Sequence, residues 1–137
     1  MPEYVARHVA DALNDKKKPM SGSKILLIGL AYKPNVDDIR ESPAFVLMNM
    51  LKERGAEVAY YDSHVPVIRP TREHGHWAGM KSVGWNRETV SKYDLVLIAT
   101  AHKDINYSDL AEWADCIVDT RNAMAGIPMK KGRVWKS

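Results

Sequence analysis

Residues 24–30 have the sequence KILLIGL, and this short run decides how the rest of the chain is interpreted. Five of its seven residues are apolar, and the other two are Lys24 and Gly29. Such a nearly continuous apolar run is typical of a strand buried on both faces of a parallel sheet. A polar loop, AYKPNVDDIRE at 31–41, comes directly after it. We therefore expect a central strand whose carboxyl end opens into this loop.

The segment after the loop has the pattern of a helix. Ser42 is a suitable N-cap, and Pro43 suits the first helical position. Gly55 is a stop signal. The apolar residues between them recur at helical spacing: Ala44, Leu47, Met48 and Leu51. Strand, loop and helix thus form one unit.

Further units of the same kind follow along the chain. Leu110 and Trp113 lie one helical turn apart between two apolar runs. Because strands and helices alternate, we expect an α/β fold with a doubly wound, Rossmann-like parallel sheet in three layers. The remaining predicted strands are EVAYYD at 57–62, DLVLIAT at 94–100 and CIVDT at 116–120.

Two segments flank or interrupt this pattern. Residues 63–85 contain several prolines and glycines and predict an excursion loop, with a short strand near Ser82 and Val83. Residues 4–14 carry apolar side chains four positions apart and predict an amphipathic helix that leads into the domain. Its apolar stripe consists of Val5, Val9 and Leu13.

The leading helix and the sheet are expected to belong to different parts of the protein. A polar stretch, NDKKKPMSGSK, separates them and is typical of a linker. We therefore expect residues 1–19 to be a helix and linker continuing from a central segment that precedes them. Residues 20–137 would then form the ligand-binding domain.

Composition limits the class of protein. The chain has 137 residues, of which 45% are hydrophobic and 27% charged, as in one globular domain with its own core. Its single cysteine cannot form a disulfide within the chain, which favours a reducing, cytoplasmic location. No run approaches the roughly 20 apolar residues of a membrane span, and the amino terminus is charged rather than apolar. We expect no membrane partner.

The charge of the chain argues against nucleic-acid binding. The formal net charge is +3, from 20 basic and 17 acidic side chains. The basic clusters at 16–18 and 130–133 are not interleaved with aromatic residues that could stack on bases. We expect no nucleic-acid partner.

The loop after the first strand is the strongest candidate for a ligand site, because ligands of open α/β sheets bind at the carboxyl ends of the strands. A dinucleotide fold would have G-x-G-x-x-G there and an acidic residue about 20 positions later. This chain has Gly29, Ala31 and Pro34 instead, and Asp62, which ends the second predicted strand, comes well beyond that spacing. The pattern does not support a self-sufficient NAD site.

The same loop nevertheless carries charge suited to an anion. Tyr32 and Lys33 precede a helix N-terminus, whose amides and dipole favour an anion, and a cation with an aromatic suits a nucleotide diphosphate. A solvated loop in which Asp37 pairs with Arg40 is equally open.

Arg121 is a second cation expected at this edge, because it follows the buried run CIVDT. Two separated cations at one edge of the sheet favour the anion site. The alternative is an ion pair at the rim between Arg121 and Asp119 or Asp62.

Other reactive residues are interpreted as structural. Cys116 opens a buried strand and is expected to be a small core side chain rather than a nucleophile. His74 and His76 lie in a glycine-containing loop that lacks the geometry of a helix-borne metal-binding pair. His102 follows the third strand and is expected to make a structural hydrogen bond. We predict no metal ligand and no catalytic residue in this chain.

Taken together, these residues resemble the nucleotide-sugar 6-dehydrogenases, a family that acts on UDP-glucose, UDP-N-acetylglucosamine or GDP-mannose. GLAYKPNVDDIRESPA at 29–44 is similar to the family signature G-x-[AG]-[FY]-K-x-[ND]-x-x-D-x-R-x-S-x. VAYYDSHVP, VLIATAHKD and IVDTRN follow in the family's order. The resemblance covers essentially the whole chain but only the last third of a family member, its UDP-binding or C-terminal domain. Within the family it looks most like the bacterial enzymes that act on UDP-N-acetylhexosamines, such as UDP-N-acetylglucosamine 6-dehydrogenase.

The resemblance implies an activity for the complete enzyme. Family members oxidise the C6 hydroxyl of the sugar to a carboxylate in two hydride transfers to NAD+, through an aldehyde and a thioester on a cysteine. NAD would be held mainly by an N-terminal domain, and the catalytic cysteine and lysine would lie in a middle segment, so Cys116 is not that cysteine. The family also implies a homo-oligomer and a role in polysaccharide biosynthesis.

Residue by residue, the resemblance implies roles at four positions. Tyr32 and Lys33 match residues that hold the UDP-sugar, and Arg121 matches a substrate-binding arginine. Arg40 matches an arginine that reaches the NAD bound by the other domain. The alternative function is a stand-alone nucleotide-binding or interaction module without catalytic activity.

Overall fold

The computed structural model of the chain describes residues 2–31, 39, 42–70, 77–129 and 133–136. The helices are α1 (Pro2–Asp15), α2 (Pro43–Glu53), α3 (Arg87–Ser91) and α4 (Tyr107–Trp113). The strands are β1 (Lys24–Ile28), β2 (Glu57–Tyr61), β3 (Leu95–Ile98), β4 (Cys116–Asp119) and β5 (Arg133–Lys136). None of the helices in this described part is long and apolar enough to cross a membrane.

The strands form one sheet in the order β2-β1-β3-β4-β5, and neighbouring strands pair in parallel. The strand order reverses between β1 and β3, which makes that gap the switch point of a doubly wound sheet. One core layer joins the sheet to α1 and α2, and the other joins it to α3 and α4. The predicted three-layer α/β fold is confirmed.

The central strand β1 is apolar because it is covered on both faces. Ile25 and Leu27 pack in the layer of α1 and α2, whereas Leu26 and Ile28 pack in the layer of α3 and α4. The strand is shorter than the predicted run because Gly29 turns the chain with a φ of +87°. The predicted strands at the second, third and fourth positions are likewise confirmed, each with slightly earlier ends.

The leading helix α1 belongs to the packed structure. Its predicted stripe of Val5, Val9 and Leu13 is buried in the same core layer as α2. The helix contacts α2 and also β3 and β4. The division between residues 1–19 and 20–137 stays a prediction, but the helix itself covers part of the sheet.

Asp94 connects the linker after α1 to the amino edge of the sheet. Lys16 Nζ donates to the Asp94 carbonyl oxygen at 2.7 Å, and Lys18 Nζ donates to Asp94 Oδ1 at 2.5 Å. The backbone N–H of Lys24 donates to Asp94 Oδ2 at 2.8 Å. Burial alone raises the pKa of Asp94, but the hydrogen bonds from Lys18 and Lys24 and the lysine charges outweigh it and lower the pKa.

The excursion after β2 is tied back to the sheet by Tyr60. Its buried hydroxyl lies 2.8 Å from the Val65 carbonyl oxygen and 3.2 Å from that of Met80. Burial, and then the charge of Asp62, raise the pKa of Tyr60 to about 12, so the hydroxyl keeps its proton. These contacts hold the excursion against the carboxyl half of β2.

Three elements differ from the sequence prediction. The short strand near Ser82 and Val83 was wrong, because this segment forms only an isolated antiparallel bridge between Val67 and Lys81. The strand β5 was missed, because its four residues include two cations and form an edge rather than a buried apolar run. The helix α3 was also missed, since five residues are too few to show a helical period.

Gly29 should be intolerant of a side chain. A Cβ at Gly29 would lie 2.3 Å from the Thr100 carbonyl oxygen, at a backbone angle that other residues rarely adopt. We expect Gly29→Ala to lower the free energy of unfolding by about 2 to 5 kcal/mol, measured by urea denaturation. Gly79→Ala is the matched control, because Gly79 has the same φ of +87° and no heavy atom of the described residues near its Cβ position. Equal losses in the two variants would contradict a role for the Thr100 contact.

Candidate functional site

The segments that follow β1, β2, β3 and β4 meet at the carboxyl edge of the sheet. Of the four predicted ligand-binding residues, Arg121 lies within the described residues. Tyr32, Lys33 and Arg40 lie outside the described residues. Asp37, His74 and His76, which were also considered from the sequence, lie outside the described residues as well.

Asp62 follows β2, and its carboxylate is buried over the carboxyl end of β1. Asp62 Oδ2 accepts hydrogen bonds from the backbone N–H of Leu30 at 2.7 Å and of Ala31 at 3.1 Å. Asp62 Oδ1 accepts from the N–H of His64 at 2.8 Å. His102 Nε2 lies 2.9 Å from Asp62 Oδ2, and both side chains are 0% exposed.

The charge of Asp62 determines which partner of this pair donates the hydrogen bond. Burial alone raises the pKa of Asp62, but hydrogen bonds from His102, Leu30 and His64 and the charge of His102 outweigh burial, so the pKa lies below its ordinary value. An ionised carboxylate only accepts hydrogen bonds, so His102 donates through Nε2–H. The predicted structural hydrogen bond of His102 is confirmed.

The two carbonyl groups next to these amides are also held. Ser42 Oγ donates to the Leu30 carbonyl oxygen at 2.7 Å and accepts from the N–H of Ala44 at 3.2 Å, so the predicted N-cap is confirmed. Thr100 Oγ1 donates to the Ala31 carbonyl oxygen at 2.8 Å. Ser42, at the far end of the loop between β1 and α2, is therefore bound to Leu30 at its near end, and Thr100 holds the neighbouring Ala31.

Asp119, the last residue of β4, shapes the turn that carries Arg121. Its buried carboxylate accepts the N–H of Arg121 at 3.0 Å and of Ala123 at 3.1 Å through Oδ1. Oδ2 accepts the N–H of Met124 at 2.8 Å. The carboxylate thus caps the turn instead of facing a ligand.

The Arg121 side chain is exposed and leans across the sheet edge. Its Nε donates to the Ala99 carbonyl oxygen at 2.9 Å. Ala99 directly follows β3, which lies between β4 and β1 in the sheet. The guanidinium therefore extends from β4 over β3, towards the switch point where the loop leaves β1. This contact uses one N–H of the side chain and leaves the planar end for a bidentate anion contact.

A second group of polar residues forms the rim on the β2 side. The rings of His64 and His102 have centroids 4.5 Å apart, and His64 Nε2 lies 3.9 Å from Asp104 Oδ2. Ser63 Oγ donates to the same Asp104 oxygen. Within the described ranges, no group of three or more His, Cys, Asp or Glu side chains is arranged to hold a metal ion.

Tyr107 supports the back of His102. Its hydroxyl donates to the His102 carbonyl oxygen at 3.0 Å. Burial, followed by the charges of Asp119 and Asp104, raises the pKa of Tyr107 to about 12. The hydroxyl therefore remains a donor.

Cys116 lies at the opposite edge of the sheet from Arg121. It opens β4, is 2% exposed and belongs to the core layer of α1 and α2. Three strand residues separate it from the carboxyl edge, or roughly 10 Å. Its predicted role as a core side chain is confirmed.

The described residues do not fit the diphosphate of NAD. The amides of Leu30 and Ala31, which a dinucleotide fold would offer to the diphosphate, are bound to Asp62. The acid after β2, which would bind the ribose, is that same buried Asp62. The absence of the glycine fingerprint in the sequence therefore has a structural counterpart.

Sequence reasoning gave too little weight to the polar residues that end the buried runs. Asp62, Thr100 and Asp119 all follow or end apolar stretches and all bind backbone groups. A polar residue placed directly after a buried strand is a signal that could have identified them. Only their partners, which are distant in sequence, show what each one holds.

Comparisons with known proteins show what this chain is similar to. Residues 26–126 match the sequence profile of the UDP-glucose/GDP-mannose dehydrogenase family, UDP binding domain, which confirms the resemblance found in the sequence. A UDP-N-acetyl-D-mannosamine dehydrogenase of Methanococcus maripaludis is 30% identical over 132 residues, covering 90% of this chain and 28% of the relative.

Two solved structures are similar over almost the whole chain. A UDP-D-ManNAc dehydrogenase from Pyrococcus horikoshii has a TM-score of 0.77 and 25% identity, covering 99% of this chain and 30% of that protein. A UDP-N-acetyl-mannosamine dehydrogenase from S. aureus has a TM-score of 0.69 and 28% identity, covering 99% of this chain and 30% of that protein. The chain thus spans less than a third of the length of these relatives.

The ionised Asp62 should make stability depend on acid pH. Because its pKa in the folded chain lies below the ordinary 3.8, its contribution is complete above about pH 4 and is lost as the pH falls through the folded value. We expect Asp62→Asn to lower the free energy of unfolding by about 3 to 5 kcal/mol at neutral pH. The further loss between about pH 7 and pH 3 should then be smaller than in wild type.

Urea denaturation at the two pH values measures this difference. Asp94→Asn is the comparison, because the pKa of Asp94 is also lowered and contributes acid sensitivity of the same sign. An Asp62→Asn chain as acid-sensitive as wild type would contradict an ionised Asp62.

Proposed function

The chain belongs to the UDP-glucose/GDP-mannose dehydrogenase family, in its UDP binding domain, and from this we propose that it holds the UDP-sugar for an NAD-dependent 6-dehydrogenase. The observation that carries the proposal is the match over residues 26–126, which includes the loop after β1 and the turn after β4. These are the two segments on either side of the switch point.

The described geometry supports a nucleotide site on the β4 side of the loop after β1. Directly over β1, the anion position is filled by Asp62. On the β4 side, Arg121 leans over β3 with an exposed guanidinium. An anionic diphosphate is therefore favoured between the β1 loop and Arg121 rather than over β1 itself.

We assign roles to the residues that match the family's positions. Lys33 and Arg121 would neutralise phosphate or orient the sugar nucleotide, and Tyr32 would pack against it. Arg40 would extend towards NAD bound by another part of the enzyme. Tyr32 and Lys33 follow directly after Ala31, whose backbone Asp62 and Thr100 hold.

The substrate and the assembly are part of the same proposal. The three relatives described above act, by their names, on UDP-N-acetylmannosamine, so we propose a UDP-N-acetylhexosamine as the substrate. NAD would supply the hydride acceptor for oxidation at C6. The complete enzyme would be a cytoplasmic homo-oligomer, and residues of this chain would bind and orient the sugar nucleotide.

Binding of UDP should map to this edge and depend on its cations. On titration with UDP, we expect NMR amide signals of residues 29–43 and around Arg121 to shift. Lys33→Ala and Arg121→Ala should each weaken binding by roughly 10-fold to 150-fold, because each loses a charge-assisted contact of about 1.5 to 3 kcal/mol. Their melting temperatures should stay close to wild type.

Two cations away from this edge serve as matched controls. Lys92 lies at the end of α3 near the amino edge, and the exposed Arg87 pairs with Glu112. Lys92→Ala and Arg87→Ala should bind UDP as wild type does. Shifts confined to His74 and His76 would contradict the assigned site.

The 137-residue chain should not catalyse the reaction by itself. The amides over β1 are bound to Asp62, and Cys116 is buried at the far edge, so neither NAD binding nor a thiolate nucleophile is supported within the described residues. We expect no NADH from NAD+ with any UDP-hexose or UDP-N-acetylhexosamine, followed by NADH absorbance. NADH formation by the folded 137-residue chain would contradict this assignment.

A further inference from the structure

The loop that carries Tyr32 and Lys33 is held from both neighbours of β1. Asp62 reaches it from the end of β2, and Thr100 reaches it from the end of β3. Since β1 lies between β2 and β3, the two contacts close over the end of β1 from opposite sides. The four backbone groups of Leu30 and Ala31 are all hydrogen-bonded to side chains.

These contacts are obligatory because the backbone groups are buried. Leu30 and Ala31 are 0% exposed and lie beyond the last residue of β1. A buried N–H without an acceptor costs about 1 to 3 kcal/mol, and an ionised carboxylate can serve two N–H groups through one oxygen. His102 donates to that same oxygen and orients the carboxylate. In the observed arrangement all of these groups are therefore satisfied.

The anchor lies one residue before Tyr32 and two before Lys33. A change in backbone direction at Ala31 would move the next two Cα atoms directly, since consecutive Cα atoms are 3.8 Å apart. The far end of the loop returns to the same point, because Ser42 Oγ binds the Leu30 carbonyl oxygen. Ligand contacts need positioning within roughly 0.5 Å, so a larger displacement of the backbone at Ala31 is expected to weaken contacts made by the residues that follow it.

We propose that Asp62 and His102 are positioning residues for nucleotide-sugar binding. They fix the backbone at Leu30 and Ala31, which directly precede Tyr32 and Lys33 in the sequence, and the buried pair itself does not touch the ligand. This inference rests on the proposed function, because it assumes that Tyr32 and Lys33 meet the sugar nucleotide. Part of the affinity for the nucleotide sugar would then depend on Asp62 and His102, which do not contact the ligand.

Asp94 provides a matched comparison at the other edge of the same sheet. Like Asp62, it is a carboxylate with a lowered pKa that accepts a backbone N–H, in this case from Lys24, and a side-chain cation. It lies at the amino edge, remote from the β1 loop. A merely structural role predicts similar effects for Asp62→Asn and Asp94→Asn, whereas a positioning role predicts different ones.

The test compares UDP affinity and amide exchange in the 137-residue chain. In folded Asp62→Asn we expect UDP affinity to fall about 10-fold or more, and in Asp94→Asn to stay within about two-fold of wild type. Hydrogen exchange followed by NMR should accelerate at Leu30 and Ala31 in Asp62→Asn, and at Lys24 in Asp94→Asn. UDP affinity within two-fold of wild type in folded Asp62→Asn would overturn the proposal.

Milder variants cover the case in which Asp62→Asn does not fold. Thr100→Val removes one hydrogen bond to Ala31 and should weaken UDP binding several-fold, and Thr100→Ser should restore it. His102→Gln keeps a donor near Nε2 and should bind more tightly than His102→Leu. Normal UDP affinity in folded Thr100→Val and His102→Leu would also overturn the proposal.

Failure of the proposed function gives a different result. If the wild-type chain shows no UDP binding, the assigned ligand site is wrong. Hydrogen exchange in Asp62→Asn then tests whether Asp62 holds the backbone at Leu30 and Ala31. Accelerated exchange at Leu30 and Ala31, with the rest of the sheet unchanged, would then support local anchoring of the loop. A uniform increase across the sheet would overturn it.

Discussion

The structure depends most on a buried carboxylate over the end of its central strand. Asp62 accepts hydrogen bonds from three backbone N–H groups and from His102, so that one side chain joins the ends of β1, β2 and β3. A buried charge is stable only where such partners surround it. The carboxylate thus requires the loop, and the loop requires the carboxylate. Without the loop the buried charge would lack partners, and without the carboxylate the buried N–H groups would lack an acceptor.

This constraint also decides where a ligand can bind. Open α/β sheets offer anion-binding amides at the carboxyl end of the first strand, next to the switch point. Here an internal anion already occupies those amides. The exposed Arg121, whose backbone N–H binds Asp119 and whose Nε binds the Ala99 carbonyl oxygen, leans over β3 on the β4 side, where the proposed diphosphate site lies. This chain therefore has a Rossmann-like sheet in which the amides of Leu30 and Ala31 are not available to a dinucleotide.

The two edges of the sheet use the same kind of contact for different purposes. At the amino edge, Asp94 joins the lysines of the linker to the starts of β1 and β3, and so attaches α1 to the sheet. At the carboxyl edge, Asp62 and Asp119 each cap a loop that carries a proposed ligand-binding residue. Both edges thus use a carboxylate to satisfy backbone N–H groups, and at the second edge these groups lie next to the proposed ligand-binding residues.

The sequence by itself determined the α/β class, the first four strands and the helix after β1, because these depend on local periodicity and capping. It also identified the family, since the signature at 29–44 is contiguous. It did not determine β5 or α3, which are too short and too polar to show a period. Only the tertiary structure decided that Asp62 binds the Leu30 and Ala31 amides and His102, because these partners are far apart in sequence and meet only when β2 and β3 flank β1.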